Sequence, residues 1–420
     1  MEQFVVTGGA RLSGTVPVLG AKNAALKHMV ASLMAPGSHR LDNVPGILDV
    51  EIMCRVLRHV GASCRRAGTT MEIEVPDDLR PEAPIDLVRQ MRASILVLGA
   101  LLARKGVARV ALPGGDDFGS RPIDMHLDGL RRMGVEFELR HGVLNASAPG
   151  GLIGAEVMLE FPSVGATENL LLGGSMARGR TVIQNAAREP EIEDLASFLN
   201  AMGGRVSGAG TSTIEIEGVA EMAPSPHRVV PDRLEAGTYL IAGAIAGGTV
   251  RVADCIPDHL RMELRKLEQA GCEVARGDDW VEITGPPRPG PVDFATLPFP
   301  GFHTDMHPQM VALLSLADGT SVITENIYAA RFRYVGELNR MGADVVTEGQ
   351  HVVIRGVPGL SGCPVDACDI RAGAALVIAG LNAEGVTFVA NAQHIDRGYH
   401  DFVPKLASLG AEITRETIPD

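Results

Sequence analysis

The sequence predicts an α/β protein made of six similar units, arranged as two domains with apolar helices inside and sheets outside. The pattern Leu-x-x-x-Gly recurs six times, with its glycines at positions 61, 134, 203, 271, 342 and 410. A glycine followed by a short β-branched run recurs at positions 37, 106, 179, 247, 319 and 385. Two independent markers that share a period of about 70 residues indicate an internal repeat.

Each unit reads as the same series of elements, of the type βαβαββ. A strand follows the second marker, as at 181–183 and 321–323. An amphipathic helix then ends at the Leu-x-x-x-Gly glycine, which suits a left-handed C-cap. Two short alternating strands come next, followed by a helix that is apolar on nearly every face, as at 236–246 and 372–381. Such helices are expected to be buried on most sides.

The length of 420 residues is too great for one ordinary core. We therefore expect two domains of three units each, one formed by 22–230 and the other by 1–21 with 231–420. The opening segment precedes the first complete unit and is expected to pair with the C-terminal half. A cleft between two like domains is a natural place for a ligand, and we expect the active site there.

Composition excludes several classes of function. The formal net charge is −13 and no basic run is present, so nucleic acid is not expected as a partner. No apolar run approaches the ~20 residues that span a bilayer, and the N-terminus does not resemble a signal peptide, so we expect a cytoplasmic protein without membrane insertion. The six cysteines lack zinc-ligand spacing, and Asp305, between His303 and His307, lacks a third ligand nearby, so no metal is expected.

Four groups of residues could bind a ligand or close over it. Lys22 and Asn23 stand where a loop enters a helix, and a helix N-terminus with a lysine can bind phosphate or carboxylate. A glycine-framed loop at 114–126 carries two adjacent acids and an Arg-Pro step, and could close over a ligand. The segment 161–169 offers hydroxyls and backbone N–H groups for a diphosphate. Arginines in the fifth and sixth units could bind carboxylate or phosphate oxygens in pairs.

The chain resembles the family of enolpyruvyl transferases that act on UDP-N-acetylglucosamine. The resemblance rests on motifs that appear in family order along almost the whole chain: GAKNAAL, MRASI, GSRPIDMH, PSVGATEN, NAAREPEI, TDM, ARFRYV, DIRAGAALV and HIDRGY. It implies the enolpyruvate transferase fold, in which each of two inside-out α/β domains has threefold pseudo-symmetry.

The resemblance also implies roles for particular residues. Asp116 matches the proton donor and Asp305 the proton acceptor, with Lys22 and Arg397 as further catalytic residues. The implied substrate-binding residues are Lys22, Asn23, Arg92, Arg121, Pro122, Ile123, Asp124, Met125, Ser163, Val164, Gly165, Asp305, Ile327, Arg331, Arg371 and Arg397.

The implied reaction moves the enolpyruvyl group of phosphoenolpyruvate to the 3-hydroxyl of UDP-N-acetylglucosamine, the first committed step of peptidoglycan synthesis, without metal or cofactor. Three alternatives remain. One is a related transferase for shikimate 3-phosphate or a uridine monophosphate. Another is a protein like the RNA 3′-phosphate cyclases, which the net charge disfavours. The third is an inactive scaffold, which the retained charged motifs disfavour.

The chain departs from the family pattern at three positions. Asp116 stands where many members carry the cysteine that fosfomycin alkylates, so the resemblance implies fosfomycin resistance. The neighbouring Asp117 is a second candidate for the proton donor, although the spacing to the Arg-Pro step favours Asp116. Phe161 replaces a lysine of some members, and His303 stands where proline is usual.

Overall fold

A computed structural model describes residues 2–115, 122–328 and 330–417 of the chain. Contacts between Cα atoms divide these residues into two compact units, which we call the N-unit (20–115 and 122–230) and the C-unit (2–19, 231–328 and 330–417). The chain first passes from the C-unit to the N-unit after residue 19, two residues before the predicted boundary at residue 21. The reason is that the backbone N–H groups of Gly20 and Ala21 already donate to Asn43 and Val230 of the N-unit.

The elements follow one another in short, closely spaced stretches along both units. The helices are α1 Lys22–Ala31, α2 Leu48–Val60, α3 Ile85–Val88, α4 Val97–Lys105, α5 Asp124–Arg132, α6 Val164–Ser175, α7 Pro190–Ala201, α8 Arg233–Ile245, α9 Arg261–Gln269, α10 His307–Leu314, α11 Val335–Arg340, α12 Ile370–Asn382, α13 Gln393–Asp396 and α14 Phe402–Ser408. Short 3-10 turns span Ser32–Met34, Arg92–Leu96, Pro257–Leu260 and Thr304–Met306.

The described strands are short, between two and six residues long. They are β1 Glu2–Thr7, β2 Ser13–Pro17, β3 Gly37–Asp42, β4 Ser63–Ala67, β5 Thr70–Val75, β6 Val107–Ala111, β7 Glu136–Arg140, β8 Val143–Ser147, β9 Glu156–Met158, β10 Arg180–Gln184, β11 Val206–Ser207, β12 Thr213–Glu217, β13 Pro226–Arg228, β14 Thr249–Ala253, β15 Glu273–Arg276, β16 Trp280–Thr284, β17 Phe294–Ala295, β18 Thr320–Thr324, β19 Asp344–Glu348, β20 His351–Arg355, β21 Pro364–Asp366, β22 Val386–Ala390 and β23 Glu412–Thr417.

Each repeat builds one small sheet, which confirms the predicted α/β fold of βαβαββ units. The third repeat is typical: β10 pairs in parallel with the edge strand β9 and antiparallel with β12, which also pairs with β11. The second repeat has a three-stranded sheet, β6-β8-β7, with a parallel bridge between Glu82 and Arg109 in place of the edge strand.

Three sheets are completed by strands from distant parts of the chain. In the N-unit, β13 supplies the edge strand of the first repeat by pairing with β3. In the C-unit, β2 pairs with β14, and β1 lies between β22 and β23. The N-terminal segment thus pairs with the C-terminal half, as its position ahead of the first repeat predicts.

Three buried helices lie at the centre of each unit. In the C-unit every residue of α8 and α10 is buried, as are residues 370–381 of α12, and these helices pack against one another. In the N-unit α1, α4 and α6 take the same place. The amphipathic helices and the sheets surround these cores. The sequence predicted this burial from the lack of a polar face on the inner helices.

The repeated glycines occupy backbone conformations that other residues rarely adopt. All six glycines of the Leu-x-x-x-Gly pattern have positive φ, from 89° at Gly134 to 120° at Gly61. At Gly61 the backbone N–H donates to the carbonyl groups of Leu57 and Arg58 in the last turn of α2. A left-handed residue is needed to turn the chain from this helix into the next strand, and glycine adopts it without steric cost.

Among the described residues, no helix combines the length and the apolar character needed to cross a membrane.

Candidate active site

The structure brings together three of the predicted site residues, Asp305, Arg331 and Arg371, in the C-unit. Asp305 lies in the 3-10 turn that leads into α10. Its Oδ1 is 2.8 Å from Nη2 of Arg331, and its Oδ2 is 3.3 Å from Nε of Arg371. Both arginines are buried, while about a fifth of the Asp305 side chain is exposed. The carboxylate therefore holds two buried cations at a point that a ligand can reach.

The two arginines determine the charge state of Asp305. Burial raises the pKa of its carboxyl group, but the charges of Arg331 and Arg371 outweigh that effect and hold the pKa well below its usual value. In this state Asp305 is ionised and is a weak proton acceptor. An anion that pairs with Arg331 and Arg371 in place of Asp305 would raise the pKa of the Asp305 carboxyl group and make it a better base.

Arg371 has hydrogen-bonding capacity to spare. Its guanidinium lies 5.1 Å from the ring centroid of Tyr399, and its Nη1 is buried without a hydrogen bond to any residue that the structure describes. The Tyr399 hydroxyl is 2.9 Å from Oγ1 of Thr238 and accepts from Nε2 of Gln309. The ring is therefore anchored from both α8 and α10. A buried, unsatisfied N–H of a permanent cation is well suited to an oxygen of an anionic ligand.

A buried carboxylate, Glu325, organises the segments on both sides of Asp305. Its Oε1 accepts hydrogen bonds from Thr296 Oγ1 and from the backbone N–H groups of Ile327 and Tyr328. Its Oε2 accepts from Thr304 Oγ1, which in turn accepts from Nη1 of Arg331. Glu325 thus ties the residue before Asp305 to the segment that carries Arg331.

His303 fixes the start of the Asp305 turn. Its Nδ1 accepts a hydrogen bond of 3.0 Å from the backbone N–H of Asp305, and the backbone N–H of His303 donates to Oε1 of Glu263. His303 therefore serves as a side-chain N-cap. This contact satisfies a donor that would otherwise lack a partner at the start of the turn.

In the N-unit, Lys22 is the first residue of α1 and is mostly buried. Its Nζ lies 2.7 Å from Oδ2 of Asp49, which is the second residue of α2 and is buried. Asn23 is half-buried beside it, and its backbone carbonyl accepts from Lys27. Like Asp305, Asp49 is a carboxylate that holds a predicted substrate-binding cation.

The structure brings together the predicted segments 122–125 and 163–165. His126, on α5, lies where a Cβ at Gly165 would be 3.0 Å from its ring, and its Nδ1 is 2.8 Å from Nδ2 of Asn169 on α6. Arg92 joins the same group, since its Nη2 donates to the carbonyl of Pro122 at 3.0 Å. Burial, together with the charge of Arg92, lowers the pKa of His126 to about 3, so the ring is neutral.

The predicted diphosphate segment forms the start of α6. Ser163 is the N-cap and accepts a hydrogen bond of 3.3 Å from the backbone N–H of Ala166. Val164 and Gly165 follow and are half-buried. The helix N-terminus supplies free N–H groups and a positive dipole end, which favour an anion.

The remaining predicted residues have simpler surroundings. Ile123 and Met125 are half-buried, and Asp124, the first residue of α5, is exposed. Ile327 is half-buried after Glu325, and Arg397 is half-buried directly after α13. Asp116, Asp117 and Arg121 lie outside the described residues.

Sequence reasoning assigned no role to Glu325, Asp49, His126, Asn169 or Tyr399. The last three stand inside quoted motifs but carried no separate signal. Glu325 did have one, because it breaks the repeat. Four repeats place an Asn or Asp with positive φ directly after the equivalent strand, as at Asn185 and Asn391, and the fifth repeat has Glu325 there.

Comparison with known proteins agrees with this geometry. The family described as EPSP synthase (3-phosphoshikimate 1-carboxyvinyltransferase) matches residues 6–406, and the chain belongs to this family and is an enzyme of it. Among relatives, the UDP-N-acetylglucosamine 1-carboxyvinyltransferase of Mycobacterium tuberculosis is 53% identical over 99% of both chains. The protein of the same name from Trichlorobacter lovleyi is 47% identical over 100% of both.

Solved structures give the same result. The enolpyruvyl transferase NikO from Streptomyces tendae matches with a TM-score of 0.90 and 28% identity, over 100% of this chain and 99% of that one. EPSP synthase from Acinetobacter baumannii matches with a TM-score of 0.76 over 99% of this chain and 100% of that one. At 18% identity, the second likeness concerns the fold alone.

Proposed function

We propose that this enzyme transfers the enolpyruvyl group of phosphoenolpyruvate to the 3-hydroxyl of UDP-N-acetylglucosamine and releases phosphate. Full-length relatives at about 50% identity carry the corresponding name, which supports this acceptor. The reaction is an addition followed by an elimination. A proton adds to C3 of phosphoenolpyruvate while the sugar oxygen bonds to C2. The tetrahedral adduct then loses a proton from C3 and expels phosphate.

The observation that carries the proposal is the pairing of Asp305 with Arg331 and Arg371. Phosphoenolpyruvate bears a carboxylate and a phosphate, and a guanidinium binds either group through paired N–H donors. The unsatisfied Nη1 of Arg371 supports an anionic ligand here. Arg397, two residues before Tyr399, is the third arginine of this anion-binding group in our proposal.

The same pairing suggests how the base is activated. When the substrate anion binds the two arginines, their attraction for the Asp305 carboxylate weakens and its pKa rises toward the ordinary range. Asp305 then accepts the proton of the attacking sugar hydroxyl. Asp116 donates the proton to C3, and it must be kept protonated at neutral pH by burial or by the substrate's charge. Lys22, released from Asp49, neutralises the phosphate that leaves.

We assign the sugar nucleotide to the group in the N-unit around His126. The start of α6, from Ser163 to Gly165, is proposed to bind the diphosphate, and residues 121–125 the uridine. Arg92 is proposed to hold the substrate anions next to them. The proposed reaction uses no metal or organic cofactor.

The proposal has consequences for the cell. The reaction would be the first committed step of peptidoglycan synthesis in the cytoplasm, and so would be required for cell shape and division. With aspartate at position 116, no thiolate is available there to open the fosfomycin epoxide, and we propose that the enzyme resists this compound.

A phosphate-release assay tests the acceptor. With phosphoenolpyruvate present, UDP-N-acetylglucosamine is expected to give steady turnover, while shikimate 3-phosphate and uridine monophosphate give none. The Arg371→Gln variant keeps the size of the side chain roughly but removes the charge, and it is expected to raise the KM for phosphoenolpyruvate. No turnover with the sugar nucleotide, beside turnover with another acceptor, would refute the proposal.

The second candidate is a related transferase for another acceptor. The enolpyruvyl transferase NikO has this fold with a TM-score of 0.90 at only 28% identity, and a shared fold does not fix the acceptor, so this candidate is kept as the alternative. The acceptor panel in the same assay distinguishes the two candidates directly.

A further inference from the structure

A second cluster of ionisable side chains lies in the N-unit, outside the candidate active site. It consists of His28 on α1, Asp194 on α7 and His227 on β13. One ligand atom from each residue can be chosen so that all three lie within 4.8 Å of one another. The sequence-based expectation of no metal considered the cysteines and the surroundings of Asp305, and it missed these three residues because they lie far apart in the chain.

Asp194 is the centre of the cluster. Its Oδ1 is 2.8 Å from Nε2 of His227, and its Oδ2 is 3.4 Å from Nε2 of His28. Oδ2 also accepts a hydrogen bond of 3.0 Å from the backbone N–H of Val230. The ring of Phe198 packs against both histidines, with centroids 5.3 Å from His28 and 5.1 Å from His227. The carboxylate is thus held in place with an imidazole nitrogen on either side.

The ring nitrogens of His28 lack a well-aligned hydrogen bond within the described protein. Its side chain is completely buried, and neither ring nitrogen makes a hydrogen bond of acceptable geometry to any described residue. Buried polar atoms are nearly always hydrogen-bonded, so two unsatisfied nitrogens on one ring need an explanation. Burial lowers the pKa of His28 to about 4, so the ring is neutral near pH 7, which is the form that binds metal ions.

We propose that His28, Asp194 and His227 bind a divalent transition-metal ion, with Zn²⁺ the best fit. Two imidazole nitrogens and one carboxylate oxygen are typical ligands for zinc, and a water molecule completes a tetrahedral site. In such a site neighbouring ligand atoms stand about 3.3 Å apart, so the closest pair here must open slightly and the farthest pair must close by up to roughly 1.5 Å. The proton on Nε2 of His227 moves to Nδ1 so that Nε2 can bind the ion.

The proposed site is accessible to a metal ion, and a bound ion would connect three elements of the N-unit. The side chains of Asp194 and His227 are 11% and 12% exposed, which leaves room for entry and for the water ligand. Bound metal would fasten α1, which begins with Lys22, to α7 and to the strand that completes the first sheet of the N-unit. The proposed role is to stabilise the N-unit, and no step of the reaction passes through the ion.

Metal binding to the full-length protein tests this inference. The chain is freed of metal by chelation and dialysis, and Zn²⁺ is then added as ZnSO₄. At one hundred times its dissociation constant, Zn²⁺ is expected to raise the melting temperature by about 5 °C or more. After the excess Zn²⁺ is removed, mass spectrometry of the zinc-loaded protein is expected to find one zinc per chain. Co²⁺ as a substitute is expected to give the intense visible absorption of a tetrahedral site.

Two variants locate the site. His28→Leu removes one ligand and fills the buried space with an apolar side chain. It should fold at least as well without metal, and should lose both the zinc content and the Zn²⁺-induced shift. His39→Leu is the matched control, because His39 is also fully buried near Phe198 but bonds to the carbonyl of Ala35 outside the cluster. It should keep the Zn²⁺-induced shift. No zinc in the wild-type protein, or equal zinc in His28→Leu, would overturn the proposal.

Discussion

The substitution Glu325→Gln tests whether one buried carboxylate holds the catalytic segments in place. Glutamine has the same shape, but only one of its two terminal atoms can accept hydrogen bonds. Its oxygen must face the three donors at Oε1, because an amide nitrogen there would oppose three N–H and O–H groups. Its nitrogen must then face Thr304, whose hydroxyl already accepts from Arg331.

The expected loss of stability can be estimated from the pKa of Glu325. Burial raises this pKa, but hydrogen bonds from His307, Tyr328 and Thr296 outweigh it and lower the pKa from 4.5 to about 2. At 1.36 kcal/mol per pKa unit, the fall corresponds to about 3 kcal/mol. Part of it depends on a charged His307, whose own pKa is lowered by burial. We therefore expect a loss of about 2 to 3 kcal/mol at pH 7.

The pH dependence has a definite sign. A carboxyl group whose pKa is lowered on folding stabilises the folded state above its unfolded pKa and loses that effect as pH falls toward its folded pKa. The difference between wild type and Glu325→Gln should therefore be constant at neutral pH. It should shrink as pH falls from about 4.5 to 2.

Urea unfolding followed by tryptophan fluorescence measures the free energy of unfolding of the C-unit. Trp280, the single tryptophan of the chain, lies on β16 of the C-unit, so its fluorescence reports on the unit that contains Glu325. Glu348→Gln is the matched control, because Glu348 is exposed on β19 of the same unit, and it should change stability by less than about 0.5 kcal/mol. Turnover should also fall in Glu325→Gln. Equal stability of the two variants would refute the reasoning.

Three further predictions follow from the site and from the sequence. Asp305→Ala should abolish phosphate release, while its affinity for the sugar nucleotide, measured by calorimetry, should stay within about tenfold of wild type, roughly 1.4 kcal/mol. Arg397→Ala should instead mainly raise the KM for phosphoenolpyruvate. Near-normal turnover of Asp305→Ala would exclude Asp305 as the base. Burial raises the pKa of Glu168 to about 7, so the folded chain binds this proton more tightly and stability should fall as pH rises from about 4.5 to 7. Glu168→Gln should flatten that fall in thermal melts, whereas Glu160→Gln, at an exposed position, should not. Fosfomycin should leave the intact mass of the wild-type protein unchanged, whereas Asp116→Cys should stay active and become alkylated. Asp116→Asn should be nearly inactive. A fosfomycin adduct on the wild-type protein would contradict this prediction, and an equal effect of substituting Asp117 would identify Asp117 as the proton donor.

The fold could be predicted from the sequence because its signals are local and repeated. A glycine with positive φ ends each amphipathic helix, and helices such as α8 and α12 lack a polar face. Both features can be read within a few residues. The same reading shows that the N-terminal segment stands outside the first repeat, which indicates pairing elsewhere.

The site could be predicted only as a set of separate motifs. Asp305, Arg331 and Arg371 each belong to a recognisable segment, yet the sequence does not show that the acid is paired with both arginines. That pairing depends on how two repeats pack, and it changes the chemistry, since it lowers the pKa of the proposed base. Glu325 escaped notice because its signal lies in the comparison of repeats at one position.

The repeat also explains why the predicted residues gather where they do. Lys22, Ser163 and Arg371 stand in the first turn or at the N-cap of α1, α6 and α12. Arg92 and Asp305 lie in the 3-10 turns that run into α4 and α10. Five of the six inner helices thus present their positive ends beside a residue proposed to act on the substrates; α8 is the exception.

This arrangement gives an advantage for anionic substrates that no single repeat could supply. Three inner helices of each unit carry partial positive charge at their N-terminal ends, and this charge is fixed by the fold before any ligand binds. The repeats need to keep only the helix and its buried faces, while the residue at the N-terminal end is free to differ. Lysine, serine and arginine can then occupy equivalent places. For this reason the repeat pattern predicts the position of the functional residues, and chemistry alone identifies their roles.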